Sequence, residues 1–283
     1  MNHRATFIPS PEVDLLLTCA RLHVDTPHMA HARRLAEDNS IDWSAVYTLA
    51  QRHGVIPLLA RHLPQIAPAN LPNWLLPRLQ GDYATIAQHN LLRARALVSL
   101  ARHLREDGID AVFYKGAITA STLYGDLALR SFGDVDVLIR PEDLWQVRDL
   151  MLAQGYSTDF QPADAAQAQR ENCEWHFHHV PSRLTVDLHW HVVPDTFAAL
   201  LDEDALWARA EDAALLPGAP VTTLGALDQL LVLALNGAKT CWHDLKCIGD
   251  VAAWLHRHGD WDWEKSRPEI TRLGSRRVLL VSV

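Results

Sequence analysis

Apolar positions along the chain follow a helical rhythm at both ends and a strand rhythm between them. In the first third, Leu97, Leu100, Ala101 and Leu104 recur at i, i+3, i+4 and i+7. This predicts a long helix from about Leu79 to Asp107, ended by Gly108. Ser10-Pro11-Glu12 is a helix start, with Ser at the N-cap and Pro at the first helical position. Asp42 to His53 reads as another helix, closed by Gly54 where a left-handed residue is favoured. Amphipathic helices of this kind are scaffold and are assigned no chemistry.

After Gly108 the period shortens. Ala111-Val112-Phe113-Tyr114 is an apolar run suited to a buried strand, followed by Lys115-Gly116-Ala117 and a helical stretch to about Tyr124. Val135, Val137 and Ile139 alternate with Asp134, Asp136 and Leu138, a period of two and therefore a strand. Pro141 opens a helix that Gly155 closes. Further strands are expected at Tyr156–Phe160, Cys173–Val180 and Leu184–His191, the last two flanking a tight turn at Pro181-Ser182. Beyond about Phe197 the helical signal returns, in Leu224–Asn236 and Asp244–His256 with Gly237 between them. The final run, Val278 to Val283, fits an edge strand or a helix end. The expected class is α+β: a small mixed β-sheet core over residues 108–195, flanked by helical regions at 1–107 and 196–283.

Composition narrows the partners. Forty-eight per cent of the 283 residues are hydrophobic, enough for a sizeable core, and the net charge is -8. That balance supplies no long-range pull toward polyanions, so no nucleic-acid partner is expected. No stretch approaches the roughly 20 apolar residues of a membrane span, and residues 1–14 hold no signal-like apolar run. The four cysteines form no C-x-x-C pair, as in a reduced protein, and a cytoplasmic location is expected. Only four of the 26 cationic residues are lysine, so Lys115 stands out from an arginine-rich background.

Asp134 and Asp136, at i and i+2 on one strand, point to one face about 7 Å apart. Two carboxylates aimed into one space repel unless a cation lies between them or they sit on a solvated edge beside Arg130 or Arg140. Mg²⁺ suits such a pair, since it is held by one or two carboxylates together with phosphates and water. Asp187, between apolar neighbours in the strand 184–191, supplies a third acid if its strand lies beside that of Asp134. Three acids can hold two metal ions that activate an attacking oxygen and neutralise a leaving pyrophosphate. Upstream, Gly116 allows close backbone approach, the following helix start offers N–H groups, and Lys115 adds a point charge for a triphosphate. Arg130 could reach the same phosphates.

This order of elements resembles the DNA polymerase β-type nucleotidyltransferase superfamily. The pattern K-G-A-x(6)-Y-G-x(4)-R-x(3)-D-x-D-V-L, from Lys115 to Leu138, is similar to bacterial proteins grouped as uncharacterised nucleotidyltransferases. Val186-Asp187-Leu188-His189-Trp190 and the run His243 to Asp250 resemble that group too, and the likeness spans roughly residues 40 to 258. It implies a mixed sheet with helices, Mg²⁺ (with Mn²⁺ as an alternative), a nucleoside triphosphate, and transfer of a nucleoside monophosphate. It assigns metal ligation and catalysis to Asp134, Asp136 and Asp187, and phosphate contact to the Lys115-Gly116-Ala117 turn. Lys239 and Lys246 could close over the triphosphate from the far side, as in similar enzymes, or simply favour a helix end. The chain departs from the superfamily pattern at Ala117, where serine is usual, and in a longer interval between Gly116 and Asp134.

The expected reaction moves AMP from ATP to a small molecule or to a peptide or protein side chain. The alternative is a non-catalytic nucleotide- or partner-binding protein that keeps the fold. His176, His178, His189 and His191 fall on two adjacent strands and could bind zinc. Without a metal-ligand motif beside them, His189 reads instead as a buttress of Asp187 or a contact to the acceptor.

Overall fold

The computed structural model describes residues 9–66, 71–159, 174–180, 184–192 and 201–282. Its centre is a six-stranded mixed sheet, and the strands are those the period-two runs mark. They are β1 (Ala111–Tyr114), β2 (Asp134–Ile139), β3 (Glu174–His179), β4 (Leu184–His189), β5 (Glu211–Leu216) and β6 (Ala219–Thr223), in the order β3-β4-β2-β1-β6-β5. The central strand β2 is buried on both faces, whereas the outer β3 alternates buried and exposed, as an edge strand does. β2 runs antiparallel to β1 and parallel to β4, with Asp136 opposite Asp187 and Asp134 opposite Thr185. The crossover between them includes α7 (Leu144–Ala153).

Several expectations need correction. The hairpin β5–β6 lies in the stretch read as purely helical, and β6 joins the sheet parallel to β1, so the sheet extends past residue 195. Its first strand reads Glu-Asp-Ala-Ala-Leu-Leu, without a β-branched or aromatic residue, so nothing in its composition announces a strand. The segment from Tyr156 contributes only a bridge, Ser157 to His178; Phe160 lies outside the described residues, as do Cys173, the Pro181-Ser182 turn and Val193. β4 stops at His189, which leaves His191 off the strand. Gly237 lies inside helix α9 (Ala226–Lys239) rather than after it, with the Trp242 ring packed where a Cβ would stand. The terminal apolar run is helix α12 (Arg276–Ser282).

The N-terminal helices α1 (Pro11–Cys19), α2 (Thr26–Ala36), α3 (Trp43–Arg52) and α4 (Ile56–Ile66) enclose a core around Leu15, Leu59 and Leu63. The start signals read from the sequence act as expected. Ser10 caps α1, Asp42 caps α3, and Gly54 follows α3 at φ 68°. The 32-residue α5 (Leu75–Glu106) spans about 48 Å. It gives Leu75 and Leu79 to that core, and Leu97, Leu100 and Leu104 to the core beneath one face of the sheet.

On that face lie Phe113, Val135, Val137, Phe177 and Val186. The opposite face presents Val112, Tyr114 and Leu138 to α9 and α10 (Leu245–Arg257), with α8 (Glu203–Ala208), α11 (Trp263–Arg272) and α12 completing the layer. Strand alternation puts Asp134, Asp136, Asp187 and His189 on this second face, beyond the apolar contacts. No helix among the described residues is long and apolar enough to cross a membrane. Cys19, Cys241 and Cys247 form no disulfide.

Candidate active site

The site forms where β1 ends and β2 begins. Because paired residues of parallel neighbours share a face, the Asp136–Asp187 register and the alternation along β2 bring all three predicted carboxylates to one surface. Burial raises the pKa of Asp134, and the charges of Asp136 and Asp187 push it in the same direction. Asp136, 6% exposed, behaves differently. Burial would raise its carboxyl, but Lys115 and the His189 imidazole more than offset this and hold it well below the usual carboxylate range. The Lys115 ammonium lies 2.9 Å from Asp136 Oδ1 and 5.0 Å from the Tyr114 ring centre. Burial disfavours its charge, yet Asp136, Asp134 and Glu174 together raise its pKa above the ordinary lysine value.

Lys115 reaches that position from a backbone an L-residue rarely adopts, with φ 55° and ψ −150° at the N-cap of α6 (Gly116–Thr122). Gly116 follows at φ 35°, and a Cβ there would come within 3.1 Å of the Asp134 carbonyl oxygen. The tight turn therefore runs close to the first acid, and a side chain at this positive φ would be both strained and crowded. Ala117 is buried just inside the helix.

The histidines do not converge. His176 Nδ1 lies 2.8 Å from Asp187 Oδ1, His178 pairs with Thr185 Oγ1, and His191 with Glu203 of α8. His189 touches Asp136 rather than Asp187, at 3.3 Å, so the expected buttress of Asp187 is His176 instead. Burial opposes charge on His176, but Asp187, Glu174 and Asp134 raise its pKa above the usual imidazole value. Among the described residues no group of three or more histidine, cysteine or acidic side chains is arranged to hold a metal ion, which removes the zinc cluster.

Arg130 is not brought to the acids. Its guanidinium is engaged by both oxygens of Asp250 at 2.7 Å, in a pair where Arg130 is 6% and Asp250 1% exposed, and Tyr124 donates to the same carboxylate. Arg130, Tyr124 and Asp250 therefore form a buried staple between the β1–β2 connection and α10. Lys246, at the start of α10, packs its stem against Gly54, whose carbonyl accepts from Ser131.

A family model for uncharacterised nucleotidyltransferases matches residues 39–283. The chain belongs to that family. As a nucleotidyltransferase it is a transferase, and the match covers α3 to α12, including every residue of the site. No curated protein matches it. A solution structure of the antibiotic-resistance factor ANT(2'')-Ia is similar at 12% identity and a TM-score of 0.44, over 66% of this chain and 95% of that one.

By donor chemistry alone the three acids suit a divalent ion, although as placed they, like the histidines, are not arranged to hold one. Asp134, Asp136 and Asp187 offer hard oxygen donors, burial and then the two neighbouring acids raise Asp134, and a cation, the Lys115 ammonium, already pairs with Asp136. The fit is not ready-made, since Asp136 Oδ1 is engaged by Lys115 and Asp187 Oδ1 by His176.

Sequence reasoning missed three side chains here. Arg93 of α5 donates to the Phe132 carbonyl at 2.9 Å; burial lowers its pKa and the nearby Asp134 acts against that. Glu174 of β3 stands 3.5 Å from His189, and Asp250 neutralises Arg130. Arg93 was hidden in a helix read as scaffold. The partner of Arg130, by contrast, lay in view within the His243–Asp250 run.

Proposed function

We propose that this nucleotidyltransferase moves a nucleoside monophosphate, AMP from ATP, to a small molecule or to a peptide or protein side chain. Asp134, Asp136 and Asp187 would hold Mg²⁺. The observation that carries this reading is the register that sets Asp187 opposite Asp136 with Asp134 two residues away on the same face. When bound, the metal would activate the attacking oxygen and offset charge on the departing pyrophosphate.

The chain's own residues do the rest by position. Lys115 leaves Asp136 Oδ1 and follows the triphosphate, its ammonium exchanging a carboxylate for phosphate oxygens. Gly116 and Ala117 offer backbone amides at the start of α6. Lys246 reaches the phosphates from α10. Arg130 has no part in phosphate contact in this reading, because its guanidinium is committed to Asp250. The Asp187 carboxylate, fixed by His176, takes the proton of the attacking hydroxyl. The net charge of -8 favours an acceptor other than nucleic acid.

Incubation with triphosphates labelled at the α- or γ-phosphate, over mixtures of small molecules, peptides and RNA, tests this directly. Label should pass from the α-position, with a mass gain of one nucleoside monophosphate, and be lost in Asp134→Asn. Transfer of the γ-label would make the enzyme a kinase, and selective labelling of RNA would overturn the acceptor class.

A further inference from the structure

Leu138 of β2 pairs with His189, a position where an aliphatic residue would continue the apolar face. The chain instead buries an imidazole there, 3% exposed, between two carboxylates. Nε2 lies 3.3 Å from Asp136 Oδ1, and Nδ1 lies 3.5 Å from Glu174 Oε2. The Tyr114 ring, 5.5 Å away and tilted 57°, closes one side. Neither nitrogen makes a fully aligned hydrogen bond in this arrangement. Burying polar ring atoms this way is costly unless a carboxylate uses them.

The geometry points to His189 as a positioning residue for Asp136, itself braced by Glu174. Lys115 and His189 both approach the same oxygen, Oδ1, of Asp136. Only one of them is needed elsewhere. Once Lys115 gives way to a bound cation or follows the phosphates, His189 is the group that keeps Asp136 from turning, with its Nε2–H donating to Oδ1. Glu174, opposite His189 on the edge strand β3, fixes the ring from behind. Partners of this kind, one bond removed from a metal, commonly change metal affinity about 10–100-fold when removed. This inference rests on the proposed role of the three acids.

Mn²⁺ titration followed by electron paramagnetic resonance, with thermal unfolding recorded in parallel, reads this role without needing the acceptor. His189→Ala should weaken Mn²⁺ binding about 10–100-fold, and His189→Gln, which restores an amide donor, should recover most of it. Glu174→Ala should weaken binding less, and should add nothing when placed on His189→Ala, because Glu174 acts through the ring. Should His189→Ala fail to fold, His189→Gln and Glu174→Ala decide alone. Folded His189→Ala binding as tightly as wild type overturns the inference, and so does His189→Gln binding as weakly as His189→Ala. Wild type that binds no Mn²⁺ removes the metal-binding role of the acids themselves, and this inference with it.

Discussion

Lys115 concentrates the tension of the site in one residue. Its backbone at φ 55° and ψ −150° is a region that glycine enters freely and a lysine enters at about 1–3 kcal/mol. The ion pair of its ammonium with Asp136 offsets part of that cost. Replacing Lys115 by Ala and by Gly separates the two effects, since both remove the ion pair and only Gly relieves the backbone. Lys115→Gly should be more stable than Lys115→Ala by about 1 kcal/mol in chemical denaturation, and both should lose triphosphate binding. Equal stabilities would mean that the turn is not strained. The sequence exposed the chemistry of this lysine, but φ and ψ are set by the close approach of the turn to Asp134, which no local pattern encodes.

At the scale of elements, the site depends on the β1–α6 turn abutting the first residue of β2. Gly116→Ala would bring a Cβ within 3.1 Å of the Asp134 carbonyl and force an unfavourable positive φ. We expect a loss of 1 kcal/mol or more and weaker triphosphate binding, measured together by thermal shift and calorimetry. A variant unchanged in both would mean that the turn yields without disturbing Asp134. Strand β1 was legible as a short apolar run, and β2 and β4 through alternation that their acids mark on one face. The β5–β6 hairpin was not, since Ala213, Ala214, Leu215 and Leu216 suit a helix equally well, and only pairing with β6, which itself joins β1, makes them sheet. The His189 contact was missed for a related reason. Which acid a histidine on β4 meets depends on the side-chain path between strands, and spacing within one strand leaves that open.

Across the whole molecule, the Arg130–Asp250 pair ties the sheet to the C-terminal helices. Arg130→Ala would strand a buried carboxylate and should cost about 3–5 kcal/mol, whereas Arg130→Met with Asp250→Leu should cost much less. Equal losses in the single and double variants, measured in urea, would show that the pair contributes through packing alone. In the N-terminal helices, His62 is held neutral by burial, its pKa lowered from 6.5, with Nε2 3.0 Å from the Arg21 carbonyl. The unfolded chain takes up this proton first, so stability is full above about pH 6.5 and declines as pH falls through the window below it. His62→Gln should flatten that decline in thermal melts between pH 7.5 and 5.5. An unchanged slope would place the titrating group elsewhere.

In the proposed function Asp134, Asp136 and Asp187 act together on a metal-bound triphosphate. Calorimetric titration of each nucleoside triphosphate, with and without Mg²⁺, into wild type and Asp134→Ala/Asp136→Ala tests it most directly. Binding that requires both the metal and the acids, tightest for ATP, is the predicted result. No binding of any triphosphate, or equal binding by the variant, would make these carboxylates structural and remove the proposed metal site.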